Sequence, residues 1–207
     1  MQLPTIILAS ASPRRRDLLS QLGFPFTILP SQLEETITTT VPEKIVQELS
    51  FQKAQDIAQK QFSPTLVIGA DTIVAFHGAV MGKPRNKDHA FEMIQALQGQ
   101  THQVYTGVTL FLQQDSPQII TFSECTEVTM YPMSNQEILS YLTEKELHTY
   151  SNFSHPVYQW EDKAGGYGIQ TAFGARYIQK IHGDYNNVVG LPIARLYQEM
   201  KPFLSIY

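Results

Sequence analysis

The stretch Thr65-Leu-Val-Ile-Gly-Ala-Asp71-Thr-Ile-Val-Ala75 sets one carboxylate inside a run of apolar, mostly β-branched residues. Leu66, Val67, Ile68, Ile73, Val74 and Ala75 surround it, a pattern that predicts a central strand buried on both faces. A lone buried carboxylate is strongly unfavourable, so Asp71 requires a metal ion, a cation or a water-filled cleft. Phe76-His-Gly-Ala79 then reads as a hairpin turn and Val80-Met81-Gly82-Lys83 as the returning strand, which puts an acid and a lysine on adjacent strands. A purely structural ion pair satisfies the same pattern.

The chain has 207 residues, 43% of them hydrophobic and 16% charged, which is enough to build one globular domain over 1–207 with a sizeable core. A formal net charge of -4 argues against nucleic-acid binding by bulk charge and leaves small anionic ligands to local basic clusters. A single cysteine, Cys125, excludes an internal disulfide framework and a cysteine-cluster zinc site, and fits a cytoplasmic location. Met1 to Ala9 has no basic leader, and its apolar run is too short for a signal peptide or a membrane span.

Thr5 to Ala9 reads as a first buried strand leading into Ser10-Ala-Ser12-Pro13-Arg14-Arg15-Arg16 and a helix closed by Gly23, with Ser12 at the N-cap and Pro13 at the first helical position. Hydroxyls, guanidinium groups and free backbone N–H groups converge at the positive end of that helix. Cations placed where the dipole favours anions point to an anion, such as a phosphate chain, completing the site. A solvated arginine triplet is the plainer account.

Phe26 to Leu29 reads as a short strand, followed by Glu34 and Glu35, which are either a solvated pair or a source of one partner for Asp71 in holding a divalent cation. Pro42 to Gln61 has helical periodicity; Lys53 lies among its apolar positions and either snorkels or projects into a site. Lys87 to Gln98 predicts a helix, Gln103 to Leu112 and Ile119 to Met130 two long strands, and Ser134 to Leu142 a helix with a capping box to Glu137. His102 has no metal-site companion and reads as a hydrogen-bonded structural residue. Glu144 to Glu161 lacks a period and reads as a long loop. Asp162-Lys-Ala-Gly-Gly-Tyr-Gly-Ile-Gln170 allows close backbone approach to a ligand beside a lysine. Arg176 to Ile181 is then expected as a strand, Gly183 to Asn187 as a turn, and Gly190 to Leu204 as a closing helix.

Leu8-Ala-Ser-Ala-Ser-Pro-Arg-Arg15, Lys53-Ala54, Ile68-Gly-Ala-Asp-Thr72, Gly82-Lys-Pro84, His102 with Thr106-Gly107, Asp162-Lys-Ala-Gly165, Tyr167-Gly-Ile-Gln170, and Gly183-Asp-Tyr with Val188-Val-Gly-Leu-Pro192 together resemble the Maf family of nucleotide pyrophosphatases. The resemblance runs in order over nearly the whole chain. It implies an α/β fold with a mixed, elongated β-sheet flanked by helices and two lobes around a deep cleft, related to the inosine-triphosphate pyrophosphatases. It also implies hydrolysis of nucleoside triphosphates to monophosphate and pyrophosphate with a divalent cation, Mg or Mn.

Carried onto this chain, the family pattern makes Asp71 the catalytic acid, acting as general base and metal-associated, with Lys83 beside it in the chemistry. Ser10, Arg14, Arg15, Lys53, Lys83 and Lys163 would line the triphosphate, and Glu35 with Asp71 would hold the metal. Arg14, Thr72 and Gln170 are similar to the dTTP/UTP branch rather than the 7-methyl-GTP branch. The pattern departs from the family at Gly166, where alanine is usual, and at an insertion over 146–161, which bears on site closure and on how subunits of a homodimer would pair. The expected ligand is a nucleoside triphosphate, with no nucleic acid and no membrane. A nucleotide-binding regulator of septum formation that needs no turnover is the competing account; a carboxylate among phosphate-binding cations disfavours it, because the acid repels the ligand unless a metal bridges them.

Overall fold

Side-chain alternation along the first and third strands decides which helix packs on which face of the sheet. The computed structural model describes residues 4–61, 64–145 and 158–204. Its strands are β1 (Thr5–Leu8), β2 (Thr27–Ile28), β3 (Thr65–Phe76), β4 (Ala79–Met81), β5 (Thr101–Gln113), β6 (Gln118–Met130) and β7 (Ile178–His182), in the order β2-β1-β3-β5-β6-β7 with β4 paired to β3. β1 is parallel to β2 and to β3, whereas β4 and β7 pair antiparallel with β3 and β6, so the sheet is mixed as expected. The helices are α1 (Pro13–Ser20), α2 (Pro42–Ala58), α3 (Lys87–Leu97), α4 (Asn135–Tyr141), α5 (Ala172–Tyr177), α6 (Tyr185–Val189) and α7 (Ile193–Leu204).

The chain divides into two compact units, the first being 1–72, 105–125 and 184–207. Within it, Ile6, Leu8, Leu66, Ile68 and Ala70 pack with Leu18 and Leu19 of α1 and with Leu196, Met200 and Phe203 of α7. Ile7, Ala9 and Val67 pack instead with Ala54, Ile57 and Ala58 of α2. Even-numbered positions of β1 and β3 therefore face α1 and α7, and odd-numbered ones face α2, as the two-residue period of a strand requires. Gly69 and Gly107 lie under α2: a Cβ on Gly69 would stand 2.2 Å from the Ser50 carbonyl oxygen, and one on Gly107 2.1 Å from that of Val46. The helix backbone thus rests directly on the sheet, and no other residue type fits beneath it.

The second unit comprises 73–104 and 126–183. His77 (φ 48°) and Gly78 (φ 79°) make the tight turn of the β3–β4 hairpin, the left-handed pair that such a connection favours. The Ser134–Glu137 capping box is present at α4. His102 is buried, with Nε2 2.6 Å from the Tyr167 hydroxyl. Burial pushes this imidazole down from its usual 6.5 to about 4, which keeps it neutral, and pushes the Tyr167 hydroxyl up. Between those two values the unfolded chain carries a proton on His102 that the folded chain does not, so stability is lost as pH falls through that window. We expect urea unfolding to report a loss on the order of 3 kcal/mol across it, largely abolished in His102→Gln; an unchanged pH dependence in that variant would remove His102 as its source.

Three expectations change. Arg176 and Tyr177 lie in α5, not in a strand, which begins at Ile178. Thr171 caps α5 by accepting from the Phe173 N–H (3.3 Å), and the Phe173 ring packs against Tyr141 at 4.6 Å; six residues are too few to display a helical period. Gly183 to Asn187 is not simply a turn, because the Asp184 carboxylate accepts from the Asn186 N–H (2.8 Å) and opens α6. The closing helix starts at Ile193, after Pro192, rather than at Gly190. Of the long loop, 146–157 lies outside the described residues, including Tyr150, Phe153 and His155. Its far end is anchored, since the Trp160 indole donates to the Leu142 carbonyl (3.2 Å).

Candidate active site

Asp71 occupies an odd-numbered position of β3 and so points toward α2, where Lys53 is waiting. The Lys53 ammonium donates to Asp71 Oδ1 at 2.5 Å and pairs with Glu35 Oε1 at 2.9 Å. Lys53 neither snorkels to solvent nor stands alone: it bridges two carboxylates, with its own side chain 17% exposed and that of Asp71 16%. Glu35 reaches this point because the irregular segment carrying it is tied along α2. The Ser31 hydroxyl donates to Asp56 (2.7 Å), the Thr36 N–H to Gln52 (2.9 Å), and the Thr38 hydroxyl to Glu48 (2.6 Å).

Thr72, the next residue, points to the opposite face and meets α1. Its hydroxyl lies 3.0 Å from Arg15 Nη2 and 2.9 Å from the Thr106 hydroxyl. Arg15 further donates through Nε to the Gly190 carbonyl (2.8 Å) and through Nη1 to the Ser10 hydroxyl (3.3 Å). Burial lowers the Arg15 pKa, and the negative charge of Asp71 partly opposes that shift. Three of its five N–H groups are thus engaged with protein, which leaves two N–H groups and the charge for a phosphate. Ser10 is buried and also accepts from the Ser12 N–H (3.2 Å); Ser12 occupies the N-cap position of α1 without a side-chain capping bond. Arg14 is half-buried in the first turn of the same helix, which contains no acid.

β1 pairs with β3 through Ile68, and β4 pairs with it from Val74, so Asp71 and Thr72 fall in the interval between the two. The second unit carries the remaining candidates. Lys83 is exposed two residues beyond the end of β4, not on it, so the expected acid and lysine on adjacent strands is corrected: the strand stops at Met81, and Asp71 is paired by Lys53. Lys163 is buried, pairs with Asp162 at 2.7 Å, and packs its stem where a Cβ on Gly168 would stand. The Gly165 N–H donates to the Gly82 carbonyl (3.0 Å), which lays the Lys163 and Lys83 segments side by side. Gln170 is exposed at the end of the glycine-rich segment.

Thr106 and Gly190 stand among the residues that carry the resemblance but without an assigned role, and Asn187 stands outside them; all three are parts of this network. The available signal was a hydroxyl at an even-numbered position of a strand whose neighbours on that face, Val108, Leu110 and Leu112, are core. No cluster of three or more histidine, cysteine or acidic residues suited to a metal occurs among the described residues. Glu35 and Asp71 nevertheless converge on one cation, the Lys53 ammonium. Two carboxylates suit a hard cation such as Mg²⁺ whose other ligands are water and substrate phosphates, so the donor set fits a metal completed by the ligand rather than one caged by protein.

The family model described as Maf-like protein matches residues 5–203. The chain is similar to a protein named dTTP/UTP pyrophosphatase from Lachnoclostridium phytofermentans, 48% identical over 200 residues covering 96% of this chain and 94% of that one. Proteins of the same name from Bacillus cereus and Agathobacter rectalis are 47% and 45% identical, covering 96% and 95% of this chain and 95% and 96% of theirs. Among solved structures, a dITP/XTP pyrophosphatase from Mycobacterium abscessus is similar at TM-score 0.35 and 12% identity, covering 60% of this chain and 74% of that one. A HAM1 protein from Coxiella burnetii is similar at TM-score 0.38 and 15% identity, covering 62% and 73%. Likenesses at these TM-scores carry no weight for mechanism.

Proposed function

The chain belongs to the Maf family, and from that premise we propose that it hydrolyses dTTP and UTP to the monophosphate and pyrophosphate. The observation that carries this is the 45–48% identity, over nearly full length, to proteins named for that activity. The geometry agrees with it. Asp71 is held by a cation at a strand position where it can take a proton from an attacking water, and hydroxyl and guanidinium groups occupy the opposite face of the same strand.

In this assignment Asp71 accepts the proton of the water that attacks phosphorus, the bond to the pyrophosphate leaving group breaks, and Lys53, Arg14, Arg15 and Ser10 offset the charge of the phosphoryl oxygens, a role that the family resemblance extends to Lys83 and Lys163. Most of the catalytic effect then comes from positioning and charge neutralisation. A divalent ion held by Glu35 and Asp71 would supply further neutralisation at the phosphates and orient them. Lys53 would give up part of its present pairing and turn its charge toward the phosphates. Thr72 and Gln170 would meet the base.

The test is pyrophosphate release from dTTP, UTP, dCTP, dATP, dGTP and 7-methyl-GTP with Mg²⁺ or Mn²⁺. We expect dTTP and UTP to lead, and chelation of the metal to abolish turnover. Equal turnover of every triphosphate or a preference for 7-methyl-GTP would overturn the base assignment, nucleotide binding without release would overturn the hydrolase, and undiminished activity in chelator would overturn the metal.

A further inference from the structure

The hydrogens of the Thr72 network can be placed by elimination. Thr106 Oγ1 lies 2.9 Å from the main-chain carbonyl oxygen of Asn187, which can only accept, so Thr106 donates there. The single hydroxyl hydrogen of Thr106 is thereby used, and in its 2.9 Å contact with Thr72 the donor has to be Thr72. Arg15 Nη2, which can only donate, points at the same Thr72 oxygen from 3.0 Å. The direction therefore runs from Arg15 to Thr72 to Thr106 to the Asn187 carbonyl. Thr106 and Asn187 are fully buried, so water does not compete for these bonds, whereas Thr72 is half-buried and can be reached. With its hydrogen committed and one lone pair taken by Arg15, the Thr72 hydroxyl has one lone pair left. It can offer a ligand an acceptor and nothing else.

We propose that Thr106 is a positioning residue for base selection: by holding the Thr72 hydroxyl hydrogen it makes Thr72 an obligate acceptor for the ring N3–H of thymine or uracil. This rests on dTTP and UTP being the substrates. Those bases share an N–H at ring position 3, where cytosine has a bare lone pair; cytosine would set acceptor against acceptor at Thr72, and the mismatch could not be relieved by rotating a hydroxyl already engaged behind it. The device gives a role to a buried hydroxyl that precedes Val108, Leu110 and Leu112 on the same face of β5.

The test compares kcat/KM for dTTP and dCTP in the wild type, Thr106→Val, Thr106→Ser and Thr109→Val. Thr106→Val keeps the side-chain shape and frees the Thr72 hydrogen; we expect the dTTP-to-dCTP ratio to narrow about tenfold, the worth of one hydrogen bond's polarity, through KM more than kcat. Thr106→Ser keeps a hydroxyl and should retain the ratio. Thr109→Val, on the same strand as Thr106, breaks hydroxyl contacts to Ser50 of α2 and Thr121 of β6, so it should lower thermal stability while leaving the ratio alone. A ratio within about twofold of wild type in Thr106→Val, or equal narrowing in Thr109→Val, overturns the proposal. Should Thr106→Val fail to fold, 3-methyl-dTTP with the wild type decides: turnover equal to that of dTTP overturns it, and turnover at least about tenfold poorer supports it. A wild type without preference between dTTP and dCTP would instead overturn the substrate assignment itself, and the role of Thr106 with it.

Discussion

Asp71→Asn is expected to lower kcat for dTTP by about a hundredfold or more while the chain stays folded. The amide has the shape of the carboxylate, so the β3 backbone and the packing beneath α2 have no cause to change. It cannot take a proton from water, and it brings no charge to a metal. The change also removes one of the two anions that Lys53 now bridges, leaving the ammonium with Glu35 at 2.9 Å. Because the Asp71 side chain is 16% exposed and its partner keeps a second carboxylate, the stability lost should be about 1–2 kcal/mol. Steady-state pyrophosphate release alongside a urea melt separates the two effects. Turnover within a few-fold of wild type would strip Asp71 of its role, and an unfolded variant would show that the Asp71–Lys53 pair is principally structural.

Gly69→Ala and Gly107→Ala should each cost about 3 kcal/mol or more in stability, lowering the melting temperature on the order of 10 °C. The clashing atoms are main-chain atoms of α2: the Ser50 carbonyl oxygen at 2.2 Å and the Ala54 nitrogen at 2.8 Å for Gly69, and the Val46 carbonyl oxygen at 2.1 Å and the Gln47 nitrogen at 2.8 Å for Gly107. No rotamer change relieves a contact with helix backbone, so the whole of α2 has to back away, loosening Ala54, Ile57 and Ala58 from Ile7, Val67 and Phe111. Lys53 moves with that helix, and activity should fall together with stability. Gly23, where a Cβ would meet nothing within 4 Å, is the contrast: Gly23→Ala should cost only the strain of its positive φ (76°). A melting temperature for Gly69→Ala equal to that of Gly23→Ala would mean that α2 does not rest on the sheet as described.

Much of the fold was legible in the chain. β3 follows from a β-branched run, α2 and α3 from their apolar periodicity, the β3–β4 turn from His-Gly, and the α4 cap from Ser134 with Glu137. Each is a local rule acting within a few residues. The misassigned pieces are short. α5 has six residues and α6 five, and both exist because a capping side chain and a packed ring or carbonyl hold them, not because of any period. Lys83 lies two residues past β4 rather than on it, because the extent of β4 depends on where its pairing with β3 stops, and that stops at Met81.

The candidate site residues were named by the sequence, but their groupings were not. Asp71 and Thr72 are adjacent along the chain. The strand period sends them to opposite faces, and only the packing of α2 on one face and α1 on the other decides that the acid meets Lys53 and Glu35 while the hydroxyl meets Arg15 and Thr106. The direction of the hydrogen bonds is further still from the linear text, because it depends on a carbonyl of Asn187 that lies 81 residues from Thr106 along the chain. What the sequence determined by itself was the identity of the elements and of the chemical groups, since backbone propensity and side-chain type are local properties. Which groups share a face, which hydrogens are already committed and which charges are already paired were decided by the tertiary structure, since only chain folding brings an acceptor, a donor and a counter-ion from distant positions within bonding distance.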